Sequence, residues 1–325
     1  MKVSKIIDQW GWAYYWIAKE MERYSTHTIR AERFNFIDYK SDVIYISSPN
    51  ISKKIASHVI PLNCKENNIK CIGGYSGEID MLYSEYVDLI VTISPQLYYY
   101  AKNQYKNIPV IFLPESVDTN YFIPTERPKD RFIPGWAGGP NKAIKRRHLF
   151  EYFKYPVSQM CEHGSLYFKE DATLDKMKNF YSSIDCFVNV SSTECCPRVV
   201  LESMACGLPV LSTNVGAIPM LLEKTFIVPT YPVADTVYEM NKLLDNLANK
   251  IDDKTKIGER NRQYVEDNFS WKVNQPIWDE VFSLLKDNNI TEILKISDKF
   301  IEKYPTVFIE EMYKEHITQF AKENS

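Results

Sequence analysis

The chain has 325 residues, with 39 Lys and Arg against 42 Asp and Glu, and a formal net charge of −3. This length allows two domains with separate cores, and the charge balance offers no basic surface for nucleic acid. No apolar run approaches the roughly 18 residues of a membrane span, and the first residues lack the apolar core of a signal peptide. The seven cysteines have no regular spacing, which predicts reduced thiols and no metal site. We therefore expect a cytoplasmic protein.

Short apolar runs in the first third of the chain predict buried parallel strands. Each run is bounded by turn residues, and they cover residues 2–7, 42–46, 69–72, 87–93 and 109–113. Helical patterns, such as the one that ends near Met21, lie between several of them. This alternation predicts an α/β, doubly wound, Rossmann-like domain over residues 1–125.

An aromatic segment follows the first predicted strand. Trp10 and Trp12 flank Gly11, and further rings follow up to Trp16. These rings could line an acceptor groove, pack in the core or rest on a membrane surface, and the sequence leaves the three alternatives open. Trp10 and Trp12 are therefore candidate acceptor residues.

Prolines clustered within residues 114–134 predict a linker between two domains. A strand is predicted at 131–136, before Gly138 and Gly139, and the basic run at 145–147 is expected to open a helix. Basic residues at a helix N-terminus oppose the helix dipole, so either an anionic ligand explains them or they are solvated. Later strands are predicted at residues 184–190, 208–212 and 226–228.

Residues 191–210 carry the most informative pattern of the chain. They predict a strand–loop–helix–strand unit in which Pro197 suits the first turn of the helix and Gly207 ends it in the left-handed conformation. Glu194 lies in the loop and Glu202 in the helix. Helix N-termini favour phosphate, and carboxylates accept hydrogen bonds from hydroxyls. Together they predict a nucleotide-sugar site, with two surface glutamates as the alternative.

The run SSTECCPRVVLESMACGLPV resembles the E-x7-E signature of retaining GT-B glycosyltransferases of family 4. The stretches VDLIVTISPQ, IPVIFLPESVDTNYFIP and NFSW also resemble elements of that family, and the resemblance covers roughly residues 85–285. It implies the GT-B fold, in which two Rossmann-like doubly wound domains face a central cleft. The donor domain would span 126–288, with a helix near 271–285 returning to the first domain, and a helical tail would occupy 289–325.

The resemblance also implies roles for individual residues. Glu194 would contact the sugar hydroxyls of the donor and Glu202 its ribose. Lys145 would neutralise the leaving diphosphate, with Lys142 as the rival for that role. The other donor contacts implied are Gly11, Gly138, Gly139, Cys196, Pro197, Arg198 and Val199.

The chain departs from the family pattern at several positions. Trp136 stands where arginine is usual, and Arg146 follows the lysine in place of glycine. The histidine that family members often place in a first-domain loop is missing, and Tyr75 or Glu78 is the candidate to replace it. Glu115, with the serine after it, replaces the usual Asn-Gly.

The resemblance implies retaining transfer from a UDP- or GDP-linked sugar to a glycan, lipid-linked or other hydroxyl acceptor, without a metal ion or cofactor. Peripheral contact with a membrane stays open, and the sequence does not indicate an oligomeric state. The tail at 289–325 is either a packing hairpin of two helices or a partner contact. Two other functions remain: a catalytically silent GT-B homologue acting as a partner subunit, and a nucleotide-sugar epimerase on the same fold.

Overall fold

The computed structural model describes residues 1–8, 10, 13–49, 54–75, 83–126, 131–139, 142–160 and 170–303. The chain divides into two compact units, one formed by residues 1–115 with 275–325 and the other by residues 116–274. Each unit contains a parallel sheet with helices. Within the described residues, no helix combines the length and the apolar character needed to cross a membrane.

The strands described are β1 (Lys2–Ile7), β2 (Thr28–Arg33), β3 (Val43–Ile46), β4 (Lys70–Tyr75), β5 (Leu89–Thr92), β6 (Val110–Phe112), β7 (Pro134–Ala137), β8 (Ser158–Met160), β9 (Cys186–Asn189), β10 (Val210–Thr213) and β11 (Ile227–Val228). The α-helices described are α1 (Ala13–Tyr24), α2 (Ile60–Glu66), α3 (Pro95–Gln104), α4 (Glu170–Ser182), α5 (Arg198–Ala205), α6 (Ile218–Leu221), α7 (Val233–Asn249), α8 (Ile251–Asn268), α9 (Trp271–Lys286) and α10 (Ile290–Ile301).

The sheet of the first unit has the order β2-β1-β3-β4-β5-β6. Every residue of β3, β5 and β6 is buried, as expected of strands covered on both faces. Strand β2 was not predicted. It lies at the sheet edge, where Ile29 is its only fully buried residue, so it has no apolar run.

The sheet of the second unit has the order β8-β7-β9-β10-β11. In both sheets the first strand along the chain pairs with the second on one side and with the third on the other: β1 lies between β2 and β3, and β7 between β8 and β9. This is the flavodoxin-like order, in which ligands bind beyond the carboxyl ends of the first and third strands. The doubly wound fold predicted for each half is confirmed.

The segment after β7 differs from the prediction of a helix. The chain instead makes two 3-10 turns, Ala143–Lys145 and Arg147–Tyr152, separated by Arg146 at a φ of 48°. A residue in the left-handed region cannot continue a right-handed helix, so the prediction of a helix here was wrong.

Residues 116–126 pack within the second unit. Val117 makes a parallel bridge with Ser270, and Arg262 of α8 donates hydrogen bonds to the carbonyls of Phe122 at 2.8 Å and Thr119 at 3.1 Å. The arginine ties this segment to α8 of the second unit.

Helix α10 packs against β6 in the first unit. The backbone N–H of Phe112 donates to Ser297 Oγ at 2.8 Å, and Ile293 is fully buried. This contact covers the edge strand of the sheet. The rest of the predicted tail, residues 304–325, lies outside the described residues.

Candidate functional site

Two loops at the switch point of the second unit bring the predicted catalytic residues together. The loop after β7 carries Lys145, and the loop after β9 carries Glu194. Lys145 Nζ donates to Glu194 Oε1 in an ion pair, and the two side chains are 18 % and 11 % exposed. Because β7 and β9 are paired neighbours, the topology places both loops at one point of the sheet edge.

A chain of polar side chains holds the carboxylate of Glu194. Ser191 Oγ lies 2.7 Å from Glu194 Oε1 and 2.9 Å from Asn189 Oδ1, and Asn189 Nδ2 donates to Ser212 Oγ at 2.9 Å. A hydroxyl has one proton, so Ser191 donates to one of its two acceptors at a time. The sequence analysis missed Asn189 and Ser191, although a polar residue at the end of an apolar strand is a usable signal.

Backbone contacts fix the same loop from two sides. The N–H of Ser192 donates to the carbonyl of Ile144 at 2.8 Å, which links the two loops directly. Gly216 has a φ of 52°, and a Cβ there would lie 2.3 Å from the carbonyl oxygen of Glu194. Only glycine allows this close approach, so the loop that carries Glu194 has little freedom to shift.

Helix α5 begins directly after Pro197, and Gly207 ends it at a φ of 67°, as predicted. The first N–H groups of a helix have no acceptor inside it, and in α5 they follow directly on the loop that carries Glu194. Arg198 and Val199 form the first turn, and Cys196 lies just before it. This is the geometry that suits a phosphate group.

Glu202 is 5 % exposed and both of its carboxylate oxygens accept hydrogen bonds. Oε1 accepts from Arg198 Nε at 2.8 Å, and Oε2 accepts from the Tyr181 hydroxyl at 2.9 Å. Burial raises the pKa of Glu202, while the charge of Arg198 and the hydrogen bond from Tyr181 oppose that rise. The spacing of four residues between Arg198 and Glu202 predicts their contact on a helix, but Tyr181 was missed.

The glycines after β7 differ in their surroundings. A Cβ on Gly138 would lie 2.8 Å from the ring of Trp136, whereas one on Gly139 would meet only the side chain of Lys142, at an ordinary 3.6 Å. Trp136 is 1 % exposed and packs edge-on against Phe150. The tryptophan that replaces the family's arginine is therefore a core residue.

Lys142 is exposed and is absent from the ion pair. It lines an open pocket of about 720 Å3 together with Arg147, His148 and Glu151. Lys145, Glu194 and Glu202 do not line this pocket. Of the two lysines considered from the sequence, Lys145 is the one that contacts Glu194.

The aromatic segment of the first unit divides between core and surface. Tyr15 and Trp16 are buried in α1, while Trp10 is 48 % exposed with its ring edge-on against Tyr15. Tyr75 is 1 % exposed and packs against the rings of other tyrosines, so it is a core residue and does not suit the acceptor contact expected of it. Gly11, Trp12 and Glu78 lie outside the described residues.

The two cysteines that follow Glu194, Cys195 and Cys196, form no disulfide. Burial raises the pKa of Cys195 to about 12, with the charge of Glu194 adding to the effect, so its thiol stays protonated at neutral pH. Among the residues that the structure describes, no three His, Cys, Asp or Glu side chains form a group that could hold a metal ion.

Comparison with solved structures shows the fold of the chain. Sucrose-phosphate synthase from Thermosynechococcus elongatus superposes with a TM-score of 0.66 at 14 % identity, covering 88 % of this chain and 99 % of that one. A glycosyltransferase from Rickettsia africae gives 0.68 at 13 % identity, with coverage of 88 % and 99 %. The Anabaena protein HepE, in complex with UDP-glucose, gives 0.62 at 12 % identity, with coverage of 91 % and 99 %.

A family model described as glycosyl transferases group 1 matches residues 152–246, which include both glutamates of the site. No curated protein sequence matches the chain. The two parallel-sheet, Rossmann-like units and the matched segment agree with each other. The chain therefore has the GT-B fold, and its match to the glycosyl transferases group 1 is confined to residues 152–246.

Proposed function

We propose that the chain is a retaining glycosyltransferase that moves a sugar from a nucleotide-sugar to a hydroxyl acceptor without a metal ion. The observation that carries the proposal is the ion pair of Lys145 with Glu194, at the switch point of the sheet and directly before α5. A cation, a carboxylate and a helix N-terminus at one place suit a ligand that has both phosphates and hydroxyls.

The diphosphate of the donor would lie against the N-terminus of α5. Lys145 would turn from Glu194 to the phosphates and stabilise the negative charge that grows as the nucleoside diphosphate leaves. The protein thus supplies a positive charge of its own at the leaving group, which is why the proposal needs no divalent ion.

The sugar would take the place of Lys145 beside Glu194. A carboxylate accepts hydrogen bonds from two hydroxyls well, and Ser191 keeps it oriented at 2.7 Å. In this role Glu194 orients the sugar and does not attack it. Retention of configuration enters the proposal through the E-x7-E pattern, which is typical of retaining enzymes.

The nucleoside half would contact Glu202. Tyr181 and Arg198 occupy one site on each carboxylate oxygen, and each oxygen has a second lone pair for a ribose hydroxyl. The complex of HepE with UDP-glucose makes UDP-glucose the first donor to test, with GDP-linked sugars next. We expect the acceptor, a glycan or a lipid-linked sugar, to use the first unit, with Trp10 as a candidate contact.

The test is a thermal-shift panel of UDP, GDP and their sugars, followed by an assay of nucleotide release with EDTA or with Mg²⁺. A donor at 100 times its Kd stabilises the folded state by about 2.7 kcal/mol, or roughly 5–10 °C for a unit of this size. Lys145→Ala should lower that shift, while the matched variant Lys142→Ala should keep it.

The outcomes separate the alternatives. A shift with release of nucleotide in EDTA supports a metal-independent transferase. A shift with no release under any condition would support a silent homologue instead. If no nucleotide or nucleotide-sugar shifts the wild type, the proposed function is wrong.

A further inference from the structure

The residue after Lys145 is a buried arginine in an unusual backbone conformation. Arg146 has a φ of 48° and a ψ of 35°, a region that residues with a Cβ rarely adopt. Its side chain is also removed from water, with 6 % of the residue exposed. A long cationic side chain persists in such a place only where its contacts outweigh both the backbone strain and the loss of hydration.

Those contacts are with the turn that follows β11. Arg146 Nη1 donates to the carbonyl of Thr230 at 2.7 Å, and the guanidinium carbon lies 4.0 Å from the ring centroid of Tyr231. A planar guanidinium makes both contacts at once, which a lysine ammonium cannot do. The same carbonyl accepts a hydrogen bond from Thr236 of α7 at 3.1 Å, so Arg146 is connected through Thr230 to α7.

Lys145 lies between two fixed points. On its N-terminal side, the carbonyl of Ile144 accepts from Ser192 in the loop of Glu194. On its C-terminal side, Arg146 is held by Thr230 and stacks on the ring next to it. The left-handed residue changes the direction of the chain at this point. Consecutive side chains therefore reach different partners, Lys145 the carboxylate of Glu194 and Arg146 the turn after β11.

We infer that Arg146 is a positioning residue that holds the amine of Lys145 at Glu194 and, when a donor is bound, at its diphosphate. The part that concerns the donor rests on the proposed function. The part that concerns Lys145 and Glu194 rests on the contacts alone, and it can be tested without any substrate.

The first experiment measures how fast Lys145 reacts with an N-hydroxysuccinimide ester at pH 7.5, read by peptide mass spectrometry. Arg146→Gly relieves the strained backbone and removes the tie, while Arg146→Met keeps a buried apolar chain and removes only the polar contacts. Both should raise the labelling rate of Lys145 about threefold or more, because the turn opens more often. The exposed neighbour Arg147→Ala, which removes the same charge, should leave the rate unchanged. An unchanged rate in both Arg146 variants overturns the inference.

The second experiment is a double-mutant cycle on sugar transfer. Arg146→Gly should lower the rate about tenfold in the wild-type background and less than twofold in the Lys145→Ala background, because a residue that acts through Lys145 has no effect once the amine is gone. A merely structural role would lower transfer equally in both backgrounds, and that result overturns the inference. Faster labelling in a protein whose wild type transfers no sugar would reject the proposed function and leave the positioning of Lys145 by Arg146 intact.

Discussion

The first five strands of each unit have the same order, and each unit has a lysine near a glutamate, but the two lysines have different surroundings. In the second unit Lys145 lies in a loop beyond the strands, pairs directly with Glu194 and is partly exposed. In the first unit Lys5 lies within β1, is 3 % exposed and places its ammonium 3.5 Å from the ring centroid of Tyr45, with the charge of Glu115 nearby.

The difference lies in what can reach each lysine. In the proposed function a ligand replaces Glu194 as the partner of Lys145, whose ion pair is formed by loops beyond the strand ends. Lys5 is enclosed by its own sheet, and burial lowers its pKa to about 7. The same residue types therefore form the proposed binding site in one unit and a buried core contact in the other, and the distinction depends on whether a loop or a strand carries them.

The largest effect is expected from removing the carboxylate at the switch point. Glu194→Ala should lower sugar transfer about a hundredfold, since a charge-assisted hydrogen bond at the reacting sugar is lost, with little change in melting temperature. Glu194→Gln keeps an oxygen that accepts a hydrogen bond from a hydroxyl, so its transfer rate should lie between those of Glu194→Ala and the wild type. The control is Glu223→Ala, a glutamate whose side chain is 58 % exposed. Transfer by Glu194→Ala within twofold of wild type would contradict the assigned role.

Sequence patterns predicted the inner strands well because a strand buried on both faces consists of consecutive apolar residues. Strands such as β3 and β5 are buried along their whole length and appear as apolar runs. The edge strands β2 and β8 were missed, because a strand that faces solvent needs few apolar residues. Their place is fixed by pairing with β1 and β7, which no local pattern shows.

The site was predictable to the extent that it depends on residue types at fixed spacing. The family pattern singled out Glu194 and Lys145, and the structure brings these two side chains into an ion pair. The conformation of Arg146 was not predictable, because its partner Thr230 lies 84 residues further along the chain. Arg146 stands in the left-handed region, which glycine adopts without strain, and the pattern that the sequence resembles has glycine at this position.

The second prediction concerns a buried hydrogen-bond cluster that stabilises the first unit and lies outside the Lys145–Glu194 ion pair. Asp279 of α9 is buried and accepts hydrogen bonds from Ser25 Oγ at 2.6 Å, from the N–H of Thr26 at 2.7 Å and from Gln275 Nε2 at 2.8 Å. Asp279→Asn should lower the free energy of unfolding by about 2–3 kcal/mol, because the amide nitrogen faces donors. Calorimetry should show the loss, and the exposed Asp287→Asn should not reproduce it.

The pH dependence of that stability gives a second readout. Burial alone would raise the pKa of Asp279, but its hydrogen bonds with Ser25, Thr26 and Gln275 outweigh burial and hold the pKa below the usual value. The stabilisation is therefore complete above about pH 4–5 and is lost as the pH falls through the folded-state pKa. The wild type should lose more stability in acid than Asp279→Asn does. If the free energy of unfolding falls with pH equally in both proteins, the carboxylate of Asp279 does not cause the loss.

The smallest effect is expected from Lys5, and it bears most directly on the comparison of the two lysines. The folded-state pKa of about 7 lies below the 10.5 of a free lysine, so between these values the unfolded chain binds more protons and stability rises with pH. Lys5→Met should therefore raise the free energy of unfolding by about 1 kcal/mol near pH 6, where the buried charge is present, and its advantage should shrink toward pH 9. Thermal unfolding of the variant and the wild type at both pH values, with the exposed Lys19→Met as control, measures this difference. If Lys5→Met is less stable than the wild type at pH 6, the ammonium is a favourable partner of Tyr45 and Glu115. Burial of Lys5 would then not destabilise the first unit, and the comparison with Lys145 would have to be revised.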